Sequence, residues 1–169
     1  IACVIISIGV QMFQNSQLKS LLSIAVVDSN YNHDEQVEAL QNDFLAYAGT
    51  GDKHEVVDVD TSLLSGDDYN AVVKMTVVMG AGTADMMFCG EETYKKYKQQ
   101  EAFLSWKEIL GDDYSKYEEY MTDDGRLDLE KCPNWEKYNM VYYSPVYAVV
   151  MSSSKNLENC IKFLEMMVQ

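Results

Sequence analysis

Basic residues are scarce in this sequence. Lys+Arg number 13 against 27 Asp+Glu in 169 residues, a formal net charge of -14. A field of that sign repels phosphate backbones and anionic headgroups, so nucleic-acid binding is excluded as an expectation. Solubility is the ordinary reading of the acidity itself. Histidine is equally sparse: His33 and His54 lie far from Cys3, Cys89, Cys132 and Cys160, none of which form a CxxC pair. Zinc-ligand spacing is therefore missing, and no metal site is expected. Four scattered cysteines do not make a disulfide framework, although one bridge, with Cys132 a candidate, stays open. No GxSxG, HExxH, P-loop or GxGxxG occurs, so neither catalytic residues nor a cofactor are expected and the chain is not read as an enzyme. Asp58-Val59-Asp60-Thr61-Ser62 lacks the central glycine and terminal glutamate of a calcium loop, and Asp123–Asp128 is too short for one.

Apolar residues make up 47% of the chain, with 12 tyrosines, which suits one packed domain burying about two-thirds of its unfolded surface. Ile1–Phe13 (IACVIISIGVQMF) carries no charge and no helical face alternation. It is shorter than the about 20 residues that span a bilayer. We read residues 1–20 as an anchor remnant and linker placing the chain outside the cytoplasm. A buried N-terminal helix is the alternative, and Ile1-Ala2-Cys3 is a weak match to a lipidation site.

Residues 21–169 read as a single α/β domain. Leu21–Val27 is a branched, continuous apolar run, as in a strand covered on both faces. Val37, Leu40, Phe44 and Ala48 recur at helical spacing behind Asp34, a candidate cap, and Gly49-Thr50-Gly51 ends that helix. Strands are expected at His54–Val59, Ala84–Cys89 and Val141–Met151, and helices at Tyr69–Met79, Glu91–Tyr97 and Phe103–Leu110. A closing helix follows Asn156, a candidate cap. Residues 111–139, polar and punctuated by Asp123-Asp124-Gly125, read as a long loop excursion. The rhythm predicts a three-layer, mostly parallel sheet of 4–5 strands with helices on both faces.

Two stretches resemble the extracellular solute-binding proteins of ABC importers, in particular the sugar-binding branch. In Tyr69–Phe88 a helix precedes the small-residue turn Gly80-Ala81-Gly82, and Ala84-Asp85 opens the short strand Met86-Met87-Phe88; Tyr94 and Glu101-Ala102-Phe103-Leu104 before Trp106 continue the likeness. In Tyr147–Met166 an apolar strand, a serine turn, Lys155-Asn156 and a helix with Phe163-Leu164 close the lobe. The resemblance implies one lobe of a two-lobed binder. Gly111–Asn139 is too short for the second lobe, which needs roughly 100 residues. It also implies a small solute, carbohydrate favoured, and as partners a transporter permease or a second copy of the chain.

Ligands of open parallel sheets sit outside the carboxyl ends of the strands. That rule points to the loops Asp28–Tyr31, Asp60–Ser62 and Gly90–Glu92, with Asp28, Asn30, Asp60 and Glu91 as acceptors and Tyr31 and Tyr94 as stacking faces. Ordinary solvated loop chemistry is the plain alternative. A surface-displayed protein-interaction module is the competing function. A phosphoacceptor receiver is a third, resting on Asp28 and Lys155, although Asp85 lies at the wrong end of its strand.

Overall fold

The computed structural model describes residues 17–169. The stretch Ile1–Phe13, and with it the anchor reading, lies outside the described residues. The fold is α/β, built on a mixed sheet.

Two strand–helix–strand crossovers begin the described chain. Strand β1 (Lys19–Val27) leads to helix α1 (Asp34–Ala48), β2 (Glu55–Leu63), α2 (Tyr69–Ala81), β3 (Met86–Cys89) and α3 (Glu91–Lys98). Then come β4 (Phe103–Leu104), α4 (Trp106–Leu110), β5 (Leu127–Asp128), α5 (Trp135–Tyr138), β6 (Tyr147–Met151) and α6 (Leu157–Val168). The strand order is β2-β1-β3-β6-β4, with β5 also on β6. Both β2 and β3 pair with β1 in parallel. In contrast, β6 runs antiparallel to β3, β4 and β5. Among the described strands it alone is reversed, because the chain returns to the sheet from the edge where β3 ends.

The sheet's period of two divides its apolar residues between two clusters. Leu22, Ile24, Val26, Met86, Phe88, Ala148 and Val150 pack with Leu40, Phe44, Trp106, Phe163 and Leu164. Ala25, Val27, Met87, Cys89, Val149 and Met151 pack with Met75, Val78, Tyr94 and Tyr97. A strand buried on both sides reads as an unbroken apolar run, which is why Leu21–Val27 was legible.

Several local expectations change. His33, not Asp34, precedes the first helical residue, and no side chain caps that helix. Asp68 caps α2 by accepting from the amides of Asn70 and Ala71. Asn156 makes no side-chain cap; its Nδ2 instead donates to Asp85. Phe103-Leu104 forms a short strand on β6 rather than the start of a helix. Residues 111–139 are not a loop laid over the surface: Met121, Leu127, Leu129, Cys132, Trp135 and Tyr138 are buried in the larger cluster. The tyrosine-rich polarity of this stretch hid its apolar anchors, spaced too irregularly for a helix or strand period.

Cys89, Cys132 and Cys160 are free, buried thiols, so none of them bridges another. Burial pushes all three up to about 12. Gly82 sits at φ 61, the left-handed residue that lets α2 stop and the chain turn into β3. Asp85 locks that turn. Its carboxylate accepts from the Ser23 amide at 2.9 Å, the Ser154 hydroxyl at 2.8 Å and Asn156 Nδ2 at 3.1 Å.

Candidate functional site

The carboxyl ends of β1 and β3 and the loop after β2 meet at one edge, and the reversed β6 brings its entry segment there too. Between them lies a concavity of about 260 Å³ lined by Asp28, Ser65, Gly90–Thr93 and Tyr143–Pro145.

Each wall is placed by backbone chemistry. Asp28 adopts φ 52, a conformation aspartate tolerates better than most residues. Its amide donates to Leu63 O at 2.9 Å, and its Oδ1 accepts from Ser65 N at 3.0 Å. These contacts staple the ends of β1 and β2. Tyr143 pegs the next pair of strands, its hydroxyl donating to Val27 O at 2.9 Å and lying 3.3 Å from Phe88 O. Burial pushes the Tyr143 hydroxyl well above the usual tyrosine range, so it stays a donor. A Cβ on Gly90 would come within 3.1 Å of the Tyr143 ring, so a larger residue would push that ring aside by a few tenths of an ångström. No side chain caps α3, and its first amides face the start of the helix without intrahelical partners.

Beside the concavity stands a charged cluster. Arg126 donates to Glu91 Oε2 at 2.6 Å and to Asp124 Oδ1 at 2.7 Å. Its guanidinium lies 4.4 Å from the Tyr94 ring centroid and 4.1 Å from that of Tyr147. Hydrogen bonding to Arg126 holds the Glu91 carboxyl below the usual range. Burial opposes ionisation of Asp124, but hydrogen bonds from Thr122, Arg126 and Lys98 outweigh it and bring it to about 2.

The expected residues separate here. Asp28 and Glu91 line the concavity together. Tyr31 is 94% exposed on the loop beyond β1. Asn30 donates its amide to Met140 O, and its Oδ1 is buried with no partner among the described residues. Asp60 lies within β2, which runs past it to Leu63, and its carboxylate accepts from Ser62. Tyr94 is buried, stacked on Phe103 at 5.6 Å and covered by Arg126. Its ring faces are taken by protein groups. His33 meets Asp34 rather than Asp28 or Asp60. Asp28 and Lys155, the receiver pair, line different concavities.

Ser65, Thr93, Tyr143, Ser144 and Arg126 were missed. Among the described residues no group of three His, Cys, Asp or Glu side chains is placed to hold a metal ion. Among them, no helix is long and apolar enough to cross a membrane. No family model, curated protein or solved structure matches the chain.

Proposed function

We propose that this chain is an extracytoplasmic, membrane-tethered, solute-binding-like domain, a three-layer single lobe that takes a small polar solute, carbohydrate favoured, at the carboxyl edge of its sheet. The observation that carries the reading is the concavity between Asp28, Gly90–Thr93 and Tyr143–Pro145. It lies where open α/β sheets receive ligands. Its polar groups suit hydroxyls: the Asp28 carboxylate, the Ser65, Thr93 and Ser144 hydroxyls and the uncapped amides of α3, beside the apolar Tyr143 ring. The resemblance to sugar-binding lobes agrees with this placement, and a transporter permease is the partner it implies.

A single lobe offers one wall where a two-lobed binder closes two, so the affinity expected is modest. A thermal-shift screen with oligosaccharides, amino acids and short peptides tests the reading. A saccharide present at 100 times its Kd raises stability by about 2.7 kcal/mol. Asp28→Asn and Ser65→Ala should abolish that rise while leaving the unliganded melting temperature close to the parent's. No rise with any saccharide, or one indifferent to both substitutions, overturns it.

A further inference from the structure

The most exposed large apolar side chains include Tyr31, Tyr69 and Tyr142, at 94%, 80% and 73%, with Leu64 at 56%. All four lie on the carboxyl edge. Tyr142 and Leu64 adjoin the lining residues Tyr143 and Ser65 in sequence. Tyr31's loop is held against Tyr142's segment by the Ser29–Val141 bridge and by Asn30 N donating to Met140 O. Tyr69 opens α2, whose preceding Asp67 pairs with Lys96 of α3. Leu64 and Tyr142 thus adjoin the concavity's lining, and Tyr31 and Tyr69 lie on segments tied to its neighbours.

The charge around them has one dominant sign. Asp28, Asp34, Glu35, Asp67, Asp68, Glu91 and Glu92 occupy these loops and helix starts. Lys95 and Arg126 meet Glu91, and Lys96 meets Asp67. Among the described residues no lysine or arginine pairs with Asp28, Asp34, Glu35, Asp68 or Glu92. Solvent-exposed tyrosines are what a protein interface centres on, each ring offering a large apolar face at low entropic cost, with charged groups at the rim. A second acidic copy would be repelled there, and a lysine- or arginine-bearing surface attracted.

We infer that the tyrosine-rimmed carboxyl edge is a docking face for a basic polypeptide partner that covers the concavity and supplies the wall this lobe lacks. The inference shares its edge with the proposed solute site but does not require a solute to be bound.

The test is an NMR titration of the full chain with a short synthetic peptide of lysine and leucine, its glutamate–leucine counterpart serving as control. Binding should perturb amides at Ser29–Tyr31, Leu64–Tyr69, Glu91–Thr93 and Tyr142–Ser144, and weaken as salt rises. Tyr31→Ala combined with Tyr142→Ala should weaken it by about tenfold, as truncation of central aromatic anchors does. Val73→Ala with Val77→Ala, on the outer face of α2, should not.

Equal binding of the acidic peptide, no binding of the basic one, or equal perturbation of Asp112, Asp113, Glu118 and Glu119 overturns the inference; the last would reduce it to general charge attraction. A dimer of the chain alone, lost in the double tyrosine variant, overturns it in favour of a second copy. Saccharide stabilisation without peptide binding sinks the docking face and leaves the solute reading; peptide binding without stabilisation by any solute does the reverse.

Discussion

Single carboxylates organise this molecule, and two of them show opposite ways of doing so. Asp85 is buried at the amino end of β3 and joins β1, β3 and the turn before α6 through three donors. Asp124 is more open and tied to Thr122, Lys98 and Arg126. The ordinary aspartate range lies near 3.9, whereas Asp124 sits at about 2 in the fold. Its folded value is depressed, so its contribution is complete above the unfolded value and fades as pH falls through that window. Asp124→Asn should therefore lower the melting temperature at pH 6 and make progressively less difference as pH falls from about 4 to about 2. Parallel thermal melts of parent and variant across that range check the sign. A deficit that persists unchanged at pH 2 would mean that packing, not charge, holds the 122–126 turn.

At the scale of elements, the stretch between α4 and β6 departs most from expectation. Trp135 on α5 packs edge-on against Phe88 of the central strand at 5.6 Å, and Phe88 meets Phe163 of α6 at the same distance. A segment that supplies such a contact is part of the core. Trp135→Ala should cost about 3–5 kcal/mol in urea unfolding, the range for removing a buried aromatic side chain. Trp135→Phe should cost far less. The indole Nε1 is buried without a partner among the described residues, so its removal forfeits no hydrogen bond. A loop laid over the surface would lose little in either variant. The contrast explains what was legible. β1, α1 and β3 announce themselves because period and burial coincide over a whole element, as in Leu21–Val27. Residues 111–146 enter the core through isolated side chains such as Leu127, Leu129 and Trp135, whose spacing follows 3-10 turns and short bridges. The site divides similarly. Asp28 and Glu91 could be placed at one edge because the ends of β1 and β3 were legible. Tyr143 and Ser144 reach the same edge only because β6 is reversed, a tertiary fact with no local signal.

For the whole molecule, two electrostatic effects compete. Lys95, Lys96, Lys98, Lys116, Arg126, Lys137 and Lys162 all sit in ion pairs. Such pairs, largely exposed, contribute about 0–1 kcal/mol each, and salt weakens them. Against them stands a formal net charge of -14, whose self-repulsion salt also weakens. The pairs act over one contact, where screening is least effective. The unmatched carboxylates act over more than one contact, where screening by salt is stronger. Repulsion should therefore dominate the response, and raising sodium chloride from low to physiological concentration should raise the melting temperature by a few degrees. A change of about 1 kcal/mol corresponds to roughly 2–4 °C in a domain of this size. Choline chloride should act equally, since a bulky cation screens without binding a specific site. A fall in melting temperature would show that the surface pairs outweigh the excess charge. A rise with sodium alone would point instead to a bound cation, and the carboxylates of Asp28 and Glu92 at the concavity would be the first place to look for it.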